Sequence, residues 1–157
     1  MDLVGINAEG TLATTTTPLP AIASSVIEAT VGLYAQVAWR PPWIGYLAFE
    51  GGECVGTCAF TGAPKAGVVE MAYFTFPGHE RRGVATRMAR HLVSLAAAAA
   101  PEVVVTAHTL PEENTSTRIL RRIGFKWEGP IIHPDDGLIW VWRSQGTGAP
   151  VAPSPSA

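Results

Sequence analysis

A chain of 157 residues is long enough for one domain with its own core, and 47% hydrophobic with 15% charged residues suits a compact globular protein. A formal charge of −2 and a pI near 6.1 argue against electrostatic binding of nucleic acid, so any polyanion recognised should be small. The stretch from Met1 to Ile6 lacks a signal peptide's basic region, and apolar runs elsewhere break before the roughly 18 residues that span a bilayer. A cytoplasmic protein without a membrane partner is expected.

A first strand falls at Leu3–Asn7 or around Thr11–Thr16, where β-branched threonines favour extended backbone. Beyond Pro18 and Pro20, the spacing of Ile22, Val26, Ala29, Leu33 and Val37 predicts one or two helices over 21–39, ended by Arg40-Pro41-Pro42. Three strand-like runs follow, Trp43–Phe49, Cys54–Phe60 and Val68–Phe76. The Glu50-Gly-Gly-Glu53 turn and the 61–67 loop join them into an antiparallel meander. Cys54 and Cys58, the only cysteines, lie four apart and are expected on one strand face as buried thiols. With no histidine partners nearby they make no zinc site, and no metal is expected.

The segment Phe76-Pro-Gly-His-Glu-Arg-Arg-Gly-Val-Ala-Thr86 then leads into a helix. Gly83 permits a tight turn and close ligand approach, Ala85 keeps the next turn small, and Arg81 and Arg82 add charge. The unpaired N–H groups of 81–86 at the helix's positive end suit a phosphate, although small residues at such a junction also serve close packing alone. Val84, Met88, Leu92 and Leu95 form one stripe of this helix, which runs to Ala100 and stops at Pro101. Glu102–Ala107 reads as a buried central strand. A short helix over 115–123 places Ile119, Leu120 and Ile123 inward and Arg118, Arg121 and Arg122 outward, with Gly124 as its cap. Lys126–Ile132 and Leu138–Trp142 make a hairpin across 133–137, where Asp135-Asp-Gly137 reads as a turn. The domain thus spans 1–143, and the Gly/Pro/Ser/Ala-rich tail over 144–157 is expected to be disordered. The element order is that of a mixed α/β sheet with one parallel crossover.

In this order, Val69-Glu-Met-Ala-Tyr73, the 77–86 loop, Thr109-Leu-Pro-Glu-Glu-Asn-Thr-Ser116, Ile119-Leu-Arg-Arg-Ile-Gly-Phe125 and Asp135-Asp-Gly-Leu-Ile-Trp140 resemble the GNAT superfamily of N-acetyltransferases. The resemblance covers about 43–143 and points to the branch that acetylates ribosomal-protein N-termini. It implies a GNAT fold, a mostly antiparallel mixed sheet splayed between the fourth and fifth strands with helices on both faces. It also implies acetyl-coenzyme A as co-substrate and direct attack by a primary amine of a small molecule or peptide. The family's loop pattern is Gln/Arg-x-x-Gly-x-Gly/Ala; Gly83 and Ala85 fit, whereas Glu80 stands in the Gln/Arg position. By the same resemblance, main-chain groups of Phe74, Thr75 and Phe76 would pair with the pantetheine arm. The amides of Arg81, Arg82, Gly83, Val84, Ala85 and Thr86 would meet the pyrophosphate. Asn114 would bond the pantetheine, cap the following helix, or do both.

Glu70 is the candidate base that takes the amine proton, its alternative being an ion pair on the wet face of the sheet. The tyrosine that many relatives use as an acid is absent, its position being Leu120. Ser116, at the branch's helix-opening serine, is the substitute hydrogen-bond donor to the sulfur, or simply a helix residue. Tyr73 is a further donor candidate, His79 and His108 read as loop and strand-end residues, and Trp39, Trp43 and Trp140 read as core or acceptor-pocket aromatics. Two other readings stay open: a non-catalytic acyl-CoA-binding module, and an interaction domain without coenzyme. Homodimers are common in similar proteins.

Overall fold

The computed structural model describes residues 1–14 and 17–145. In chain order they form β1 (Asp2–Gly5), α1 (Ala21–Val37), β2 (Gly45–Glu50), β3 (Glu53–Phe60), β4 (Val68–Thr75), α2 (Val84–Ala99), β5 (Val104–Thr109), α3 (Thr115–Arg122), β6 (Lys126–His133) and β7 (Gly137–Arg143). The seven strands make one sheet in the order β1-β2-β3-β4-β5-β7-β6, in which β4 and β5 are the parallel pair and the other pairs are antiparallel. The first strand thus takes the earlier of its two candidate positions, and the 21–39 region holds one helix. Part of the threonine run, 15–16, lies outside the described residues.

Two glycines show where the helices lie. A Cβ on Gly45 would stand 2.7 Å from Thr30 of α1, and one on Gly56 would stand 3.0 Å from Met88 of α2. Gly45 pairs with Ala59 and Gly56 with Ala48, which puts the two glycines on opposite faces, so α1 and α2 flank the sheet. On α2 the buried stripe is Val84, Met88, Ala89, Leu92 and Ala96. Each large member contributes roughly 1.5–3 kcal/mol by leaving water. On the other side Tyr34 ties α1 down: its hydroxyl donates to the Ile6 carbonyl at 2.8 Å and accepts from the Gly45 amide at 2.9 Å.

The cysteine expectation needs correction. Phe49 pairs with Cys54 and Ala48 with Gly56, leaving Val55 as the extra residue of a β-bulge. That residue shifts the alternation, so Cys54 and Cys58 face opposite sides of the sheet; both are buried free thiols. The tail expectation also moves. Ser144 is buried, its amide donates to the Val105 carbonyl (2.8 Å) and its Oγ accepts from the Val105 amide (2.9 Å), so the fold runs past 143. The rest of that tail, from 146, lies outside the described residues. The central strand starts at Val104 rather than Glu102, because the Val103 amide still closes a turn onto Ala100.

The aromatics act in packing. Trp43 meets Phe60 edge-on at 5.0 Å between centroids, and Trp140 lies between Trp127, which it meets edge-on, and the tilted ring of Trp142. Trp39 donates its indole N–H to the Ile6 carbonyl. At the terminal hairpin, His133 Nδ1 accepts from the Asp135 and Asp136 amides, so this segment is a turn as expected.

Candidate active site

The β4–β5 ladder runs from Val68↔Val104 to Met71↔Ala107 and stops, while β4 stays paired to β3 as far as Thr75↔Gly56. From Ala72 onward, therefore, β4 has a partner on one side only, and the sheet parts there. Tyr73, Phe74 and Thr75 line a cavity of about 540 Å³ beside this opening. The loop and helix start at His79–Arg81 and Gly83–Thr86 line it too, as do Thr115, Ser116, Arg118, Ile119 and Arg122 from α3.

Local chain geometry accounts for the cradle. Gly83, the N-cap of α2, has φ 76° and ψ 12°, and the first helical bond is made by the Arg87 amide to the Gly83 carbonyl at 3.0 Å. The amides of Val84, Ala85 and Thr86 thus precede the ladder. No side chain caps them and no acidic residue occupies the first turn. Their partial positive charge is left for an anion. Arg81 is also left-handed, at φ 66°, a conformation that costs a non-glycine residue on the order of 1 kcal/mol. Glu80, the departure from the family loop, turns back on its own loop, its carboxylate accepting from the Gly78 amide at 2.9 Å. A clamp holds the helix start: the Arg87 guanidinium bonds the Glu50 carboxylate (Nη2–Oε1 2.9 Å) and the Arg82 carbonyl (2.8 Å). The Arg87 hydrogen bond keeps the Glu50 carboxyl below the usual carboxylate range.

Of the ten residues expected at the coenzyme, Phe74, Thr75, Arg81, Gly83, Val84, Ala85 and Thr86 line the cavity. The Phe76 side chain goes to the core, 2% exposed, against Phe74. Arg82 lies off the cavity and offers its carbonyl to Arg87. Asn114 caps α3: its side chain accepts from the Thr117 amide (3.0 Å) and the Thr117 hydroxyl accepts from the Asn114 amide (3.0 Å), a complete capping box. The arginines on α3 divide. Arg121 reaches back to Glu113 (2.6 Å) and lies over the Trp142 ring, while Arg118 and Arg122 turn to the cavity. These two were missed as ligand contacts. Their i, i+4 spacing was the available signal, since it places both on one helix face.

Tyr73 and Ser116 meet in this cavity. Burial pushes the Tyr73 phenol up to about 12, with Ser116 pulling the other way. The Tyr73 Oη is buried without a hydrogen bond of good geometry. A neutral phenol without a well-formed hydrogen bond can donate to a ligand.

Glu70 and Ser116 are not in one cavity. Glu70 pairs in register with Thr106 and lies on the α1 face, opposite Tyr73, one residue short of the last β4–β5 pair. There its carboxylate stands 3.3 Å from His108 Nδ1, and the His108 ring meets His133 at 5.9 Å. His108 is thus more than a strand-end residue: it shares the α1 face with Glu70 at the point where the strands part.

A parallel pair that parts after Met71 thus lies beside an uncapped helix start whose free amides suit an anion. The model for the acetyltransferase (GNAT) domain matches residues 12–126, and the chain belongs to that family. No curated protein matches it. Among solved structures, RimL, a ribosomal L7/L12 alpha-N-protein acetyltransferase in complex with coenzyme A, superposes with a TM-score of 0.63 at 13% identity, covering 82% of this chain and 73% of that one. The yncA protein of Salmonella typhimurium with its cofactor acetyl-CoA gives 0.58 at 17% identity, over 83% and 75%. Aminoglycoside acetyltransferase AAC(6')-Ib in complex with coenzyme A gives 0.56 at 21% identity, over 64% and 65%. Among the described residues no helix is long and apolar enough to cross a membrane.

Proposed function

We propose that this protein transfers the acetyl group of acetyl-CoA to a primary amine by direct attack, across the opening between β4 and β5. The observation that carries this reading is the uncapped start of α2 opening into the same cavity as the unpaired edge of β4. The residues present fit the coenzyme. The amides of Val84–Thr86 with Arg81, Arg118 and Arg122 suit a pyrophosphate, and the open edge of β4 at Phe74 and Thr75 suits an amide-bearing arm. When bound, acetyl-CoA supplies the activated acyl group.

The protein's own residues then move protons and exclude water. On the α1 face, Glu70 receives one amine proton, with His108 beside it to pass the proton on. The acceptor nitrogen forms the new bond to the acetyl carbon as the carbon–sulfur bond breaks. On the α2 face Tyr73, next to Ser116, donates to the departing sulfur, taking the place of the absent acid at Leu120. The products are an N-acetyl amine and the free thiol.

The reading is tested by incubating the protein with acetyl-CoA and a panel of amines and following thiol release. Turnover with at least one amine, lost by tenfold or more in Glu70→Gln with the melting shift by acetyl-CoA retained, is the expected result. A melting shift without turnover on any amine, peptide N-termini included, would favour a binding module instead.

A further inference from the structure

On the sheet face opposite the cradle lies a second cavity, of about 520 Å³. Its floor is Glu70 and Thr106 of the β4–β5 pair. One wall is Gln36 at the end of α1 with Arg40 in the segment after it, and the other is Thr61 and Lys65 in the β3–β4 loop. Because Glu70 lines it, an amine held in this cavity would face that carboxylate.

The charges around it are unequal. Arg40, Lys65 and Glu70 are the charged lining residues, two cations to one carboxylate. The carboxylate has His108 as a neighbour, whereas neither cation makes an ion pair or a side-chain hydrogen bond among the described residues. Both project from backbone that is already held. The Lys65 amide donates to the Val68 carbonyl at 2.9 Å and the Val68 amide returns the bond at 3.0 Å, around a turn with positive φ at Ala66 and Gly67. The Arg40 carbonyl accepts from the Trp43 amide at 2.9 Å, and the Thr61 amide ties the loop to the Glu70 carbonyl at 3.0 Å.

We propose that this cavity is the acceptor site and selects a small amine that carries a carboxylate, an amino-acid-type substrate. Arg40 and Lys65 hold the carboxylate, and Glu70 faces the amine. The proposal rests on the acetyltransferase reading above. Two unpaired cations favour a carboxylate by charge-assisted hydrogen bonds, which Arg makes in bidentate form. The same pair acts against the alternatives. A polyamine or a polycationic sugar would bring more positive charge against Arg40 and Lys65, and an amine without an anion would leave them uncompensated.

The test compares substrates that differ only in the anion. Thiol release from acetyl-CoA is measured with the twenty common L-amino acids, the carboxamide of each, spermidine, and short peptides with an acidic residue at position one or two. The expected result is at least one amino acid used tenfold or more better, in kcat/KM, than its own amide and than spermidine. Arg40→Ala and Lys65→Ala should each raise KM for that amino acid about fivefold or more, leaving KM for acetyl-CoA and the melting temperature as in the parent. Turnover in which amides or spermidine equal the acids, or KM unmoved in both variants, overturns the proposal and leaves the transferase reading standing. Preference for the acidic peptides over every free amino acid overturns the small-molecule assignment. Absence of thiol release with all of these substrates overturns the proposal, and the transferase reading falls with it only where the wider amine panel also shows no turnover.

Discussion

The Arg87 guanidinium crosses Gly83 so closely that a Cβ on that glycine would stand 2.8 Å from Nη1. Arg87 cannot simply swing away, because Glu50 and the Arg82 carbonyl hold it. Gly83 is thus required twice, for its left-handed backbone and for the clamp that passes over it. Gly83→Ala should cost about 1–2 kcal/mol from the backbone alone, seen as a melting temperature lower by several degrees. Acetyl-CoA binding by calorimetry should weaken at least tenfold.

Arg81 makes the opposite case. It is a non-glycine residue at φ 66°, so Arg81→Gly removes the strain while loosening the unfolded chain, and the two effects are of similar size, each on the order of 1 kcal/mol. The variant should melt at or slightly above the parent temperature. Its acetyl-CoA affinity should nevertheless fall about three- to tenfold, through loss of one cation at the cradle. A lower melting temperature would show that the conformation is not strained.

The Tyr73 hydroxyl is buried, neutral and without a good partner in the free protein. Tyr73→Phe should leave stability unchanged or raise it by up to about 1 kcal/mol, since an unsatisfied polar group is removed. If the hydroxyl serves the departing sulfur, kcat should fall tenfold or more with KM for acetyl-CoA unchanged. Steady-state kinetics on Tyr73→Phe and Ser116→Ala separate the contributions of the two hydroxyls.

Glu113 supplies a pH-dependent contribution. Hydrogen bonds from Arg121 first, then Thr117, hold its carboxyl down to about 2 from 4.5. A depressed carboxylate favours the fold fully above about 4.5, and the benefit is lost as pH falls from there toward 2. Melting temperatures of the parent and Glu113→Gln should differ at pH 6, converge as pH is lowered through this window, and coincide near pH 2. The pair is exposed, so the difference should also shrink in high salt.

The elements were legible because each carries its own period. The Val84, Met88 and Leu92 stripe reads as a helix, the Glu50–Glu53 turn as a hairpin, and Gly83 as a tight turn before a helix, all from local sequence. What misled was whatever depended on a partner. The bulge at Val55, which separates Cys54 from Cys58, has no local signature. Ser144 looked like tail, yet it is bonded to Val105 from 39 residues away in sequence. Where the side chains of the cradle segment go was likewise illegible: that of Phe76 enters the core, and the Arg82 carbonyl is taken by Arg87.

The sequence by itself determined the element order, the glycine-bearing helix start and the family likeness, because these rest on spacing within short windows and on backbone conformations that few residues accept. Only the tertiary structure decided which side chains share a cavity. Tyr73 and Ser116 meet on one face, Glu70 and His108 on the other, and Arg40 and Lys65 line one cavity beside Glu70. The reason lies in the pleat and the register. A single residue of bulge, or the point at which one ladder stops, settles which face of the sheet each of these groups occupies.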